Sequence, residues 1–204
     1  MYQPPSPFLD TVDWAFAGTS SSSEVRNEDG RAVRHCVWRH VVDSRTRTDP
    51  ETAVVDEADM FPPEDGDRVL EKGRMVNPDT GLATDYEEMW RDVEPEAATT
   101  PGPAASTSPP ARPRCIVLEL RDDPAERRGQ VVCLGRYCQG VVRCGPDFAL
   151  ERWAWEPEGG WARRVRVGPL HLPCEEALRD SALAVGASVR KDGLVWTVVE
   201  ACET

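Results

Sequence analysis

From Cys115 to Ala201 the chain is broken by turn residues too often for long helices. The apolar runs "CIVLEL" (115–120), "QVVCLGRYCQGVVRC" (130–144), "ALERWAWEP" (149–157), "GWARRVRVG" (160–168) and "GLVWTVVEA" (193–201) are separated by "DDPAERRG", "CGPD", "PEGG" and "RKDG". Short Val-, Leu- and Trp-rich runs bounded by Gly, Pro and Asp read as strands. Period-two alternation supports this. It sets Trp153 and Trp155 on one face of their run, and Trp161, Arg163, Val165 and Val167 opposite Arg164 and Arg166 in the next. Only "PCEEALRDSAL" (173–183), with Ala177, Leu178 and Ala182 at helical spacing, reads as a helix.

The segment "EAATTPGPAASTSPPARPR", Glu96 to Arg114, has no apolar periodicity and is built from Pro, Ala, Ser and Thr. Such a segment buries too little surface to offset its ordering entropy, so a flexible linker is expected. It divides the 204 residues into units at 8–95 and 114–204 around a linker at 96–113. In the first unit "VDWAFAG", "HCVWRHVVDSR", "RVLEKGRMVNP" and "ATDYEEMWRDV" are strand candidates. "GTSSSS" is expected to be a loop closing the first strand, and "TDPETAVVDEADMFPPEDGD" an acidic loop between the second and third. The fold class expected is all-β, mainly antiparallel, as two small barrels with many short strands. "VWRHVVDSRT" laid on "GRYCQGVVRC", and "YEEMWRDVEPE" on "LERWAWEPEGG", also suggests an internal repeat.

The charge is uneven. Residues 1–95 hold 21 acids against 10 bases, and residues 96–204 hold 15 against 14, so most of the −12 sits in the first half. That balance argues against a nucleic-acid or anionic-membrane surface, both of which need a basic face. No apolar stretch reaches the ~18–20 residues of a spanning helix, and the start "MYQPPSPFLDTVDW" lacks a secretory signal. An intracellular chain with reduced cysteines is expected, and seven is an odd number for a disulfide framework.

In "KGRMVNPDTGLATDYEEMWRDVEP" (72–95) the Asn77–Gly81 run is turn chemistry, with hairpin arms on either side. "TDYEEMWRD" fits a helix with a capping box from Thr84 to Glu87, but the hairpin before it and the Pro after it favour a strand. As a strand it sets Tyr86, Glu88 and Trp90 on one face, where the aromatics and a polar anchor could line a ligand site. Tyr137, Trp153 and Trp155 are the matching candidates in the second unit.

Other chemistry finds little footing. Cys133, Cys138 and Cys144 lie close in sequence and His35, Cys36 and His40 form a second group, but no C-x2-C ligand pair occurs, so no metal site is expected. "GTSSSS" lacks the lysine of a phosphate-binding loop, and no G-x-S-x-G elbow is present. His40 beside Asp43 is the nearest approach to an acid–base residue. No catalytic residue and no cofactor is expected. Ser21 with Glu24, Thr48 with Glu51 and Thr84 with Glu87 fit acid-directed kinase acceptors, and Arg163, Arg164 and Arg166 form a local basic strip.

"DWAFAGTSSS" (13–22), "CVWRHVVDSRT" (36–46), "LEKGRMVNPDTGLATDYEEMWRDVEP" (70–95), "GRYCQGVVRCG" (135–145) and "ERWAWE" (151–156) resemble the fungal HRI family. The resemblance implies two lipocalin-like antiparallel barrels, here with a first barrel short of strands at its start. It also implies a cytoplasmic and nuclear location, a casein kinase I as protein partner, and no enzymatic activity. Three functions are therefore carried forward. The first is a non-enzymatic interaction module, the second a carrier of a small apolar ligand in a barrel cavity, and the third a barrel isomerase or hydratase using His40 or Glu88.

Overall fold

The computed structural model describes residues 12–27, 29–46, 54–62, 66–77, 80–99, 111–122, 125–179 and 182–203. Most of the linker (100–110), and the Thr48 and Glu51 acceptor pair, lie outside them.

The fold is almost entirely antiparallel β, as the strand cadence requires. β1 (Phe16–Arg26), β2 (Ala32–Asp43), β3 (Val55–Phe61), β4 (Arg68–Val76) and β5 (Ala83–Arg91) form one sheet in chain order. β6 (Arg114–Asp122), β7 (Arg127–Leu134), β8 (Tyr137–Cys144), β9 (Asp147–Glu156), β10 (Gly160–Val167), β11 (Ser188–Lys191) and β12 (Leu194–Glu203) form a second, curled, barrel-like sheet. Its order is β10-β9-β8-β7-β6-β12-β11, and a short helix, α1 (Cys174–Arg179), packs on β7 and β8. Among the described residues, packing groups 12–17, 41–46 and those from 95 onward in one unit and the rest of those from 18 to 94 in the other, so the division passes through β1 and β2.

Several elements differ from expectation for identifiable reasons. The acidic segment contains β3: Ala58 and Met60 are buried on one face, while Glu57 and Asp59 take the other, where Asp59 meets His35 Nδ1 at 2.8 Å. Acid content masked an ordinary period of two. The serine run belongs to β1, an outer strand exposed along most of its length, which needs no apolar side chains. "QVVCLGRYCQGVVRC" is two strands, folded back at Gly135, whose φ of 55° suits glycine. β11 is only four residues long and turns into β12 through Asp192 and Gly193, both at positive φ.

In β10 the pairing slips between Arg163 and Val165, which face Trp153 and Arg152 of β9. This bulge breaks the expected alternation and brings Arg163 and Arg166 to one face, around the carboxylate of Glu151. The proposed repeat does not follow strand order either: its two segments lie in β2 and β5 in the first sheet, with two strands between, but in adjacent β8 and β9 in the second.

The main core lies on one face of the curled sheet, with Ile116, Leu118, Val131, Val142, Trp196 and Val198 at 1% exposure or less. Leu172, Cys174 and Ala177 close it from the side of α1. The opposite face of β8 and β9 is covered too. Val141 and Phe148 pack there against Val42 with Ala15, Ala17 and Val41, and Arg143 donates to the carbonyls of Asp43 and Ser44 at 2.8–3.1 Å. Residues 12–17 and 41–46 are thus structural parts of the unit that holds the second sheet.

Candidate functional site

The first sheet sorts its charges by face. On one side Lys72 and Arg74 of β4 pair with Glu87 and Asp85 of β5, both at 2.6 Å. The other side carries Asp56 of β3, Glu71 of β4 and Glu88 of β5, with Arg34 of β2 opposite Met60. Strand register fixes this: Glu71 stands opposite Glu88, Gly73 opposite Tyr86, and Val69 opposite Trp90. Tyr86 lies across Gly73, where a Cβ would come within 2.4 Å of the ring, and its hydroxyl donates to Glu71 Oε1 at 2.9 Å. Glycine is required at 73 by this close approach.

The electrostatics follow from that crowding. Burial, with 5% of Glu71 exposed, pushes its carboxyl above the usual range, and the charges of Glu88 and Asp56 add to it. Hydrogen bonds from Tyr86 and Trp90 oppose the shift. Burial also raises Asp56, against the pull of a backbone hydrogen bond and of His40. The Tyr86 phenol is driven well above its ordinary range by burial and then by the Glu71 hydrogen bond. A buried carboxyl held above its usual range beside a second carboxylate can hold a proton or accept a polar partner group. Trp90, at the edge of this face, is 50% exposed, and Met89 on the opposite face is 58% exposed.

Tyr86, Glu88 and Trp90 therefore share a face, and Glu71 joins them. Sequence reading did not single out Glu71; the observed register of the hairpin closed at Asn77–Gly81 is what brings it opposite Glu88. The turn is closed by Gly81 N–H to Asn77 O at 2.8 Å and Asn77 N–H to Leu82 O at 2.9 Å; Pro78 and Asp79 lie outside the described residues. His40 is buried on β2, its backbone N–H bonded to Val54 O at 2.9 Å, whereas Glu88 is on β5 with two strands between them.

In the second sheet the three aromatic candidates do not share one lining. Trp153 pairs with Cys138 and faces the core, donating Nε1–H to Glu151 Oε2 at 3.0 Å under the guanidinium of Arg163. Trp155 follows on that face, edge-on to Trp161 at 5.6 Å, its Nε1–H directed to Thr99 O at 3.3 Å. Tyr137, one residue before Cys138, points to the opposite face, half-exposed beneath Arg152. The residue that fills the interior is Trp196, fully buried and stacked on Gly129, where a Cβ would lie 2.3 Å from its ring. Sequence gave no reason to single it out from the other tryptophans.

Cys133 and Cys138 meet each other across β7 and β8, and Cys174 of α1 joins them. Thiol hydrogen bonds to Cys133 and Cys174, then burial, keep Cys138 firmly protonated. Among the described residues the donors that gather closely enough to hold a metal ion are Cys115, Glu200 and Cys202. An open cleft of about 610 Å³ lies beside α1 and β11, lined by Glu175, Glu176, Arg179, Leu183, Ser188 and Val189. No described helix is long and apolar enough to cross a membrane.

No curated protein matches the sequence. A crystal structure of an uncharacterized protein from Saccharomyces cerevisiae has a similar fold, with a TM-score of 0.64 at 22% identity, covering 97% of this chain and 83% of that one. The family model described as Protein HRI1 matches residues 2–200, and the chain belongs to that family.

Proposed function

We propose that the chain is a non-enzymatic protein-interaction module whose docking surface is the β5 side of the first sheet. One observation carries the reading: β5 is exposed at eight of its nine residues and ends the sheet order, while presenting Met89 and Trp90 to solvent. An outer strand offers unpaired backbone groups to an incoming strand, and an exposed Trp supplies an anchor. Val76 and Leu82 at 60% and 68% exposure extend the apolar area around the hairpin tip. The neighbouring Glu71, Glu88 and Asp56 face favours a partner with a basic surface.

The partner proposed is a casein kinase I, the one the family resemblance implies, in the cytoplasm and nucleus. Ser21 with Glu24 on β1, and Thr84 with Glu87 on β5, are exposed acceptor pairs that suit contact with an acid-directed kinase. Titration calorimetry of the full chain with a purified casein kinase I tests this. The Met89→Ser/Trp90→Ser double variant should weaken binding at least tenfold, as loss of a hot-spot aromatic does, about 2 kcal/mol or more. Equal binding by the variant, or none by the parent, would sink the proposal.

The carrier reading has less to support it, because Trp196 occupies the interior of the second sheet and the open cleft is lined with Glu175, Glu176 and Arg179. An isomerase needs its acid and base at one pocket, and His40 and Glu88 stand on β2 and β5.

A further inference from the structure

β12 changes face partway along. Trp196 and Val198 point into the core, and unbroken alternation would send Glu200 after them. Instead the register with β6 slips between Val198 and Glu200. After the slip Ala201 stands opposite Ile116 and packs inward, while Glu200 and Cys202 turn to the outer face opposite Val117 and Cys115. Bulges of this kind re-aim side chains. Here the bulge brings two thiols and a carboxylate together at the surface: Cys115 Sγ is 3.7 Å and Cys202 Sγ 3.6 Å from Glu200 Oε1, and all three donor atoms lie within 4.8 Å of one another.

We propose that Cys115, Cys202 and Glu200 form a binding site for a zinc-like divalent cation, held by two thiolates and one carboxylate. The distances fit that ion. With Zn–S about 2.3 Å and Zn–O about 2.1 Å, a tetrahedral centre sets its S···O edges at about 3.6 Å. Two sulfur donors select a soft or borderline metal over Mg²⁺ or Ca²⁺, which take oxygen ligands. Three protein ligands leave one tetrahedral position, and with Glu200 and Cys202 exposed it opens to solvent. The site would also clip the end of β12 to the start of β6, joining residues 115 and 202.

The test is titration of the reduced full-length chain with Co²⁺, read by its thiolate-to-metal absorption, followed by displacement with Zn²⁺. The expected result is one equivalent bound, with the band lost in Cys115→Ser and Cys202→Ser. Glu200→Gln, which keeps side-chain size at an exposed position, should weaken affinity by more than the roughly 10- to 100-fold cost of losing an outer-shell partner. Cys144→Ser should bind as the parent does. Absence of the band at one equivalent, or an unchanged band in Cys115→Ser, overturns the proposal. So does a reduced chain that takes up no metal but yields a Cys115–Cys202 disulfide peptide on oxidation.

Discussion

At the scale of single residues, Glu71 and Trp196 carry the sharpest expectations. The Glu71 carboxyl is raised in the folded chain, so between its unfolded and folded pKa values the folded state holds more protons, and stability falls as pH rises through that window. Glu71→Gln removes the penalty while keeping an acceptor for Tyr86. The variant should melt above the parent at pH 7.5, with the gain disappearing as pH drops below the ordinary Glu range of about 4.3. A gain that persists at low pH would mean the benefit is not electrostatic. Trp196→Ala empties the centre of the second sheet and should cost about 3–5 kcal/mol in urea unfolding followed by circular dichroism. Tyr86 and Trp90 were legible once the hairpin before "TDYEEMWRD" and the Pro after it favoured a strand over a capped helix. Glu71 was hidden among the charges of "LEKGR", and Gly73 gave no sign that a ring would lie over it.

At the scale of elements, pattern revealed strand existence and missed strand irregularity. β6, β9 and β12 announce themselves by Val, Leu and Trp. β1 and β3 do not, because an outer strand can be built of serine and a half-buried strand can carry acids on its open face. Bulges are equally silent. The slip in β10 was unreadable, yet it gathers Arg163 and Arg166 around the buried Glu151. Breaking that group should be expensive: Arg166→Met leaves a buried carboxylate short of its main counter-ion and should cost about 3 kcal/mol or more. Adding Glu151→Leu should recover most of the loss, since an apolar pair of similar volume replaces two desolvated charges. If the double variant is no more stable than the single one, packing rather than charge governs the site.

At the scale of the whole molecule, the two compact units are not the two sides of the linker. Residues 12–17 and 41–46 cover Val141 and Phe148, and Arg143 is tied to Asp43 and Ser44. A fragment of residues 111–204 would expose that apolar face, so it should unfold at a lower urea concentration than the second sheet does in the full chain. Proteolysis between 100 and 110 should leave the two pieces associated under native conditions, by gel filtration. Composition suggests a linker at 96–113, most of which lies outside the described residues, but no local signal tells that a segment near the start of a chain will pack against strands a hundred residues later.

Hydrogen exchange of the full chain with and without a casein kinase I is the decisive measurement for the proposed docking of a partner on the β5 side of the first sheet. On binding, amides of residues 83–91 should gain protection while those of β6, β7 and β8 exchange as before. Protection confined to the second sheet, or no change anywhere at saturating kinase, would contradict it.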